Sequence, residues 1–222
     1  MIKFDNVTVR KKNHILLAGV SFEACRGEKI CFCGKSGSGK TTLLTTIVGA
    51  HIPAAGTVCF KNRPLSSKNI LSVRQSVSYI GQEPVLGAHR VLDALMLPFT
   101  YRANKHSTPP SERINGVLEQ LHLDAAILDK ETNVISGGEK QRVAIARALL
   151  LGKTVFIADE ITAGLDAQSK NAVLGLFRDA ACTIVSVSHD PAWFGLCSRF
   201  YFLDRGRIVS VSDTPGAVIK TS

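Results

Sequence analysis

The feature that most constrains the fold is a glycine-rich segment that follows directly on a short apolar run, residues 29–33. The segment has the spacing G-x-x-x-x-G-K-T and consists of Gly34, Lys35, Ser36, Gly37, Ser38, Gly39, Lys40 and Thr41. A run rich in threonine and leucine comes next and stops at Gly49. This order predicts a buried strand, a tight loop, and a helix that begins near Lys40.

Each residue type in this loop suits phosphate binding. Glycines let backbone N–H groups curl around phosphate oxygens, and the N-terminus of the helix adds unpaired donors. We expect Lys40 to reach the β- and γ-phosphates of a nucleotide, Thr41 to bind Mg²⁺ through its hydroxyl, and Thr42 to contact the α-phosphate region. The reaction stays open at this point, because kinases, GTPases and motor ATPases share such a loop.

An acidic pair follows a second apolar run. Residues 155–158 are Val-Phe-Ile-Ala, and Asp159 and Glu160 come directly after them. A buried parallel strand has this composition, and ligands of open α/β sheets lie beyond the carboxyl ends of the strands. We therefore expect Asp159 to serve Mg²⁺, and Glu160 to orient or deprotonate the water that attacks the γ-phosphate.

Two further polar residues end strand-like runs. His189 follows residues 182–187, so it is expected at the same edge of the sheet, where it could donate a hydrogen bond to the γ-phosphate. Gln82 follows residues 77–80, and its amide could contact Mg²⁺ or the attacking water. Both are predicted to be catalytic residues, and Gln82 also a metal ligand.

Composition limits the class of protein. Of 222 residues, 45% are hydrophobic and 20% are charged, which is typical of a globular chain. No apolar run approaches the roughly 18 residues of a membrane-spanning helix. The start of the chain has an acidic residue, Asp5, and no uninterrupted apolar run, so we expect no secretory signal and a cytosolic location. The net charge of +9 favours an anionic partner.

Six cysteines are interpreted as small buried hydrophobic residues in a reducing compartment. A metal site at Cys31 and Cys33 is the alternative, but the sequence has no second pair of cysteines that would complete four ligands.

The segment Ile135–Arg142, ISGGEKQR, contains two adjacent glycines but no nucleophile and no Lys-Thr pair. Ser136 and Glu139 have the spacing of a capping box, which predicts a helix from Gly137 or Gly138 to Leu151. Each glycine costs a helix up to about 1 kcal/mol relative to Ala, so capping alone does not explain the pair. The simplest explanation is clearance for a nucleotide held by a second molecule, in a head-to-tail dimer with two-fold symmetry.

Together these residues resemble the nucleotide-binding subunit of an ABC transporter over essentially the whole chain. The resemblance rests on the glycine loop, Gln82, residues 136–139, residues 155–160, Ala163-Gly164-Leu165-Asp166 and His189, in that order. It implies that Ser136 and Gly138, with Gly137 between them, contact the γ-phosphate held by a partner. It also implies that Asp166 lies in a loop linking the two sites, and that ATP closes the dimer while hydrolysis opens it.

The fold implied is an α/β P-loop NTPase core of the RecA-like type, with a mixed or parallel sheet. An antiparallel β part at the N-terminus and an inserted α-helical subdomain complete it. We expect a single ABC ATPase domain over residues 1–222, with the core at 1–84 and 146–222 and the helical subdomain at 85–145. Within the insert, a helix at residues 91–99 is expected to be interrupted at Pro98, and residues 114–121 have amphipathic spacing.

One departure from the family pattern concerns the base. The aromatic residue expected to stack on adenine falls near Lys11, where no aromatic residue is present, although His14 could partly substitute. We therefore predict weak discrimination between ATP and GTP.

The expected cofactors are ATP and Mg²⁺, and the expected partners are a second copy or a paralogous ATPase subunit, together with multi-span membrane subunits. No nucleic acid partner is expected. The chain would lie on the cytoplasmic face of the inner or plasma membrane, with Leu86, His89 and Val91 near the membrane subunits. Parts of the sequence resemble subunits of metal or iron export, and also of lipoprotein release or macrolide efflux. Alternatives are a soluble ABC-type ATPase, such as an iron-sulfur assembly scaffold subunit, and a small-molecule kinase.

Overall fold

The computed structural model describes residues 1–214. Alternation of buried and exposed residues in the first two strands produces an antiparallel pair, β1 (Ile2–Lys11) and β2 (His14–Ala24). β1 also pairs with β4 (Ala55–Phe60), which in turn pairs with the short β5 (Arg63–Pro64). The resulting sheet has the order β2-β1-β4-β5, which is the expected antiparallel N-terminal part.

A second, six-stranded sheet carries the loops of interest. Its central strands are almost entirely buried, as expected for parallel strands covered on both faces: β3 (Lys29–Cys33), β7 (Val155–Asp159) and β8 (Thr183–Val187). β6 (Ser78–Ile80) and β9 (Arg199–Asp204) extend the parallel part, and β10 (Arg207–Ser212) is an antiparallel edge strand. The strand order is β10-β9-β3-β8-β7-β6. The sheet is thus mixed, as predicted.

Helix α1 (Lys40–Ile47) buries Leu43, Leu44 and Ile47 in the core shared by the two sheets. Phe22 and Phe32 belong to the same core, with ring centroids 4.8 Å apart. The remaining helices of the sheet region are α2 (Ile70–Ser76), α6 (Ala167–Asp179) and α7 (Pro191–Phe194). This packing holds the loop between β3 and α1 on a rigid base.

The segment between β6 and β7 contains three helices and two short 3₁₀ turns. The helices are α3 (Val91–Thr100), α4 (Ser111–Gln120) and α5 (Gly137–Leu150), and the turns are Lys105–Ser107 and Ala125–Asp129. In α4, Ile114 and Leu118 are buried as their spacing predicts. α5 continues unbroken past residue 145, and its Ala148 carbonyl accepts a hydrogen bond from Ser78 of β6, so the predicted boundary between residues 145 and 146 falls inside a helix.

The expected interruption of α3 at Pro98 is wrong. The helix continues through Pro98 to Thr100. Proline lacks one N–H donor and crowds the carbonyl of Ala94, four residues earlier, so it costs the helix one hydrogen bond but does not end it. The carbonyl of Pro98 accepts a hydrogen bond from the Asn104 side chain at 3.1 Å, which helps to end the helix.

All six cysteines are free, and three of them are buried: Cys31, Cys33 and Cys182. Cys25 is exposed, so the interpretation of every cysteine as a core residue does not extend to it. Within residues 1–214, no group of three or more His, Cys, Asp or Glu side chains is arranged to hold a metal ion. None of the helices in this range is long and apolar enough to span a membrane.

Candidate nucleotide site

The loop between β3 and α1 adopts a conformation that only glycine tolerates at two positions. Gly34 has φ +147°, and a Cβ placed there would lie 2.1 Å from the carbonyl oxygen of Leu203. Gly39 has φ +105°, and its Cβ would lie 2.8 Å from the carbonyl oxygen of Leu16. At Gly37, which is also left-handed, no atom lies within 4 Å of such a Cβ, so the crest of the loop is open. The loop is therefore a backbone cradle.

Helix α1 begins at Lys40 without a side-chain cap on its first turn. Apart from Ser38, whose N–H donates to the Lys35 carbonyl at 3.2 Å, no loop N–H from Lys35 to Gly39 has an acceptor within the described residues. Ser38 also has a buried hydroxyl with no hydrogen-bond partner in this part of the chain. Unpaired donors at a helix N-terminus fit the oxygens of a nucleotide phosphate.

Lys40 is buried, with 7% of its surface exposed. Its ammonium donates to the carbonyl oxygens of Gly34, at 2.7 Å, and Lys35, at 3.0 Å. Burial lowers the pKa of Lys40, and the nearby carboxylates of Glu160 and Asp159 oppose that shift. A phosphate would be a stronger partner for this cation than two neutral carbonyls, because both groups are charged.

Thr41 and Asp159 lie together at the carboxyl edge of the sheet. The Thr41 hydroxyl donates to Asp159 Oδ2 at 2.8 Å, although 118 residues separate the two in sequence. Asp159 is 2% exposed, and burial raises its pKa while the Thr41 hydroxyl opposes the rise. A hydroxyl and a carboxylate are the hard oxygen donors that Mg²⁺ prefers, and Mg²⁺ commonly takes few protein ligands beside phosphates and water. The residues therefore fit the ion.

Three side chains, each from the loop after a different strand, converge next to this pair. Glu160 Oε2 accepts from the Gln82 amide at 3.3 Å, and Glu160 Oε1 lies 3.7 Å from His189 Nε2. The backbone of Glu160 is left-handed, with φ +49°, and its N–H donates to the carbonyl of Val187 at the end of β8. A non-glycine residue in this conformation is uncommon and is found at sites where geometry matters more than local strain.

Ser136 and its helix lie elsewhere. Ser136 Oγ accepts from the Glu139 N–H at 3.2 Å, and Glu139 Oε2 accepts from the Ser136 N–H at 2.8 Å. The predicted capping box and helix start are thus confirmed. A Cβ on Gly137 would meet nothing within 4 Å, and one on Gly138 would only touch Gly164 and Leu165. No hydrogen bond in the described chain joins this helix end to the phosphate cradle.

Of the remaining predicted residues, three lie at the phosphate cradle and Asp166 lies away from it. Lys35 and Ser36 are exposed at the crest of the loop, and Thr42 lies in the first turn of α1. Asp166 caps α6, because its carboxylate accepts from the Ser169 N–H and hydroxyl at 2.9 and 2.6 Å. These bonds lower the pKa of Asp166. Its predicted contact with a nucleotide therefore has no counterpart within one chain.

The region expected to hold the base is a tight hairpin. Lys11 pairs with His14 across the turn between β1 and β2, and both side chains are exposed. Ile15 follows with 52% of its surface exposed. β2 borders the cradle through the Leu16 carbonyl, which approaches Gly39, so the hairpin stands at the edge of the site.

Comparison with known proteins identifies the family. The family described as "ABC transporter" matches residues 17–163, which contain the cradle, Gln82, the Ser136 helix and the acidic pair. The chain belongs to the ABC transporter family. A dimeric ATP-binding cassette, MJ0796, solved in a post-hydrolysis state with ADP and Pi, superposes with a TM-score of 0.85 at 28% identity. That match covers 97% of this chain and 100% of the cassette.

Relatives within the ABC transporter family differ in length and cargo. A candidate ABC transporter ATP-binding protein of Geobacter sulfurreducens is 32% identical over 207 residues, covering 89% of this chain and 80% of that protein. An Fe(3+) ion import ATP-binding protein of Rhodococcus jostii is 31% identical, covering 99% and 64%. A mitochondrial ATP-dependent permease of Saccharomyces cerevisiae is 31% identical, but the match spans 78% of this chain and only 24% of the permease. The P-loop NTPase fold and the ATP-binding cassette are thus confirmed.

Sequence patterns missed several residues that hold the ABC site in place. Arg147 of α5 donates to the carbonyls of Leu86 at 2.8 Å and Val85 at 3.0 Å, fixing the loop after Gln82. Burial lowers the pKa of this guanidinium. Lys170 and Asp190 form an ion pair of 2.9 Å beside His189. Arg147 is an isolated cation within an apolar helix face, and that signal could have drawn attention to it.

Proposed function

We propose that this chain is an ATP-hydrolysing subunit that dimerises head to tail around two ATP molecules and drives transport by separate membrane subunits. The observation that carries the proposal is the difference between the N-termini of α1 and α5. One helix N-terminus has an uncapped cradle with Lys40, and the other has open glycines and no phosphate-binding side chain of its own. A partner copy, or a paralogous subunit, supplies the missing half of each site.

Within one site, Lys40 and the loop N–H groups hold the phosphates, and Thr41 with Asp159 holds the Mg²⁺ position, which Gln82 borders. Bound Mg²⁺ supplies charge neutralisation on the β- and γ-phosphates. Glu160 orients the attacking water and accepts its proton, and His189 donates to the γ-phosphate as negative charge moves during the reaction. The 3.3 and 3.7 Å contacts of Glu160 with Gln82 and His189 support this assignment.

Ser136 completes the partner's site. Its hydroxyl oxygen already accepts a hydrogen bond from Glu139, which leaves the hydroxyl proton free to donate to a γ-phosphate oxygen. Gly137 and Gly138 let the helix N-terminus approach that phosphate closely. Gly164 and Leu165, which precede Asp166 in its loop, lie beside Gly138, and we propose that the link between the two sites runs through this contact.

Transport places this chain at the cytoplasmic face of the inner or plasma membrane, against multi-span subunits. The loop after Gln82 supports the contact, because Val85 is 79% exposed and His89 has 71% of its side chain exposed. Leu86 and Val91, which we expected near this contact, are 5% and 0% exposed and belong to the core. Val85 and His89 are therefore the residues proposed to touch the membrane subunit. Co-purification with a multi-span protein, and its loss in a Val85→Asp variant, would support this placement.

The decisive experiment for ATP-driven dimerisation uses Glu160→Gln, which keeps the shape of the side chain but cannot take up a proton. With saturating ATP and Mg²⁺, light scattering after gel filtration is expected to show a stable dimer. A phosphate-release assay on the same sample is expected to show no hydrolysis. Glu119→Gln, an exposed change on α4, is the matched control and should hydrolyse ATP like the wild type. A Glu160→Gln protein that stays monomeric at high concentration would refute the proposal.

A further inference from the structure

The segment around His189 is held by a carboxylate whose function is unassigned. Asp190 Oδ2 accepts from the Lys170 ammonium at 2.9 Å and from the Thr162 hydroxyl at 3.0 Å. Its other oxygen, Oδ1, accepts from the Ala192 N–H at 3.0 Å and caps α7. One carboxylate thus joins three segments: the turn after Glu160, the first turn of α6, and the segment that carries His189.

This cluster is better shielded than a loose surface ion pair. The Asp190 side chain is 15% exposed and that of Lys170 is 31% exposed, while Thr162 is 2% exposed. Burial alone would raise the pKa of Asp190, but the bonds from Lys170, Ala192 and Thr162 lower it. Exposed pairs contribute little, whereas a carboxylate with three partners has its position determined by them.

His189 has few other restraints. Its side chain is 54% exposed, and its nearest ionic neighbour, Glu160, is 3.7 Å away. The backbone on its C-terminal side is fixed because the Asp190 N–H donates to the Ser188 hydroxyl at 3.0 Å. The position of the imidazole relative to Glu160 therefore depends on where Asp190 is held.

We propose that Lys170 is a positioning residue, which through Asp190 sets His189 against Glu160 and transmits the position of the α6 N-terminus to it. The inference rests on the proposed hydrolytic function. Lys170 lies one turn after Asp166, the residue that caps α6, so it moves with the loop of residues 163–166. A second copy that displaces this loop would therefore also shift His189, through Lys170 and Asp190.

The test is Lys170→Met, which removes the ammonium and keeps much of the side-chain volume. We expect kcat for ATP hydrolysis to fall about tenfold or more, because small displacements of a catalytic group are costly, while KM and nucleotide affinity change less than about twofold. Lys170→Arg should recover most of the rate. Lys68→Met is the matched control: Lys68 is exposed and makes no hydrogen bond or ion pair in the described chain, so its variant should keep the wild-type rate.

A double-mutant cycle separates positioning from general destabilisation. In a His189→Ala background, Lys170→Met should cost less than about twofold, because the residue it positions is gone. Full additivity of the two effects, or an unchanged kcat in Lys170→Met alone, would overturn the proposal. Asp190→Asn is a second route, since it retains the cap of α7 but loses the attraction to Lys170, and it should lower kcat in the same way.

A readout independent of activity keeps this inference distinct from the proposed function. Hydrogen exchange at the amides of Asp190 and Ala192 should be faster in Lys170→Met than in wild type or Lys68→Met. Equal exchange in the three proteins would refute the positioning role. A wild-type chain that binds ATP but never releases phosphate would instead refute hydrolysis.

Discussion

The two helix N-termini, of α1 and α5, are built in opposite ways. The first turn of α1 has no side-chain cap and carries Lys40 and Thr41, whereas that of α5 is closed by the Ser136–Glu139 capping box. The glycines differ as well. Gly34 is required by its own chain, because of its φ and the Leu203 carbonyl, whereas Gly137 has a helical backbone and open space around it. The stability of a single chain explains why residue 34 is glycine. It does not explain Gly137, which we attribute to the approach of a partner.

The largest effect should come from Gly34→Ala, because the chain itself forbids the methyl group. A Cβ 2.1 Å from the Leu203 carbonyl forces the loop to move, and the left-handed backbone adds strain. We expect the free energy of unfolding to fall by about 3 kcal/mol or more, with loss of ATP binding. Chemical denaturation and nucleotide titration measure both. A variant as stable as wild type would contradict the claim that the chain itself requires glycine at position 34.

Gly137→Gln should do the reverse, affecting activity while sparing the fold. The side chain meets no atom of its own chain, and glutamine favours a helix, so the free energy of unfolding should stay the same or rise by up to about 1 kcal/mol. ATP turnover should fall about a hundredfold, since a helix N-terminus must approach the phosphate closely to stabilise it. Denaturation and phosphate-release assays on the same sample check the separation. Wild-type turnover would mean that nothing approaches this surface.

The phosphate cradle is formed by the chain itself, whereas the hairpin expected to hold the base lacks an aromatic residue. Lys11→Tyr supplies one and should raise the affinity for ATP. An aromatic ring on the hairpin gives the base a stacking partner, which is worth about 1 kcal/mol or more, roughly fivefold in affinity. Wild type is expected to bind ATP and GTP with similar affinity. A strong preference of the wild type for ATP in calorimetry would contradict this.

The smallest effect concerns the cap of α5. Bonds from Ser136 lower the pKa of Glu139, so its charge stabilises the fold above the carboxyl's unfolded pKa, and that contribution is lost as the pH falls through the lowered folded value. Glu139→Gln should cost about 0.5 kcal/mol at pH 7, and the difference should shrink as the pH falls through the lowered pKa of Glu139 and vanish below it. Urea unfolding of both proteins over a series of pH values from 7 downward tests this; a difference that does not change with pH would contradict it.

Local patterns predicted most of the elements that carry the site. The run before Gly34, the run before Asp159 and the capping box at Ser136 each specify their own structure, because strand burial and helix capping depend on neighbours in sequence. Because the carboxyl ends of β3 and β7 lie at the same edge of the sheet, the Thr41 hydroxyl lies 2.8 Å from Asp159 Oδ2.

Contacts between distant segments could not be predicted in this way. The Asp190 cluster unites residues 162, 170 and 190, whose spacing follows no period. Leu86 and Val91 were placed at a surface because of their position in the chain, but the packing of α3 and α5 buries them. Continuation of α3 through Pro98 likewise depends on where the helix ends rather than on the proline alone.

The most direct test of a site shared between two molecules mixes two inactive variants, Lys40→Met and Ser136→Arg. In a mixed dimer, the intact cradle of one chain faces the intact α5 of the other, so one complete site forms. Random pairing of equal amounts should restore about a quarter of the wild-type sites, detected as phosphate release. Activity no greater than the sum of the separate variants, together with full turnover by monomeric wild type, would contradict the shared site.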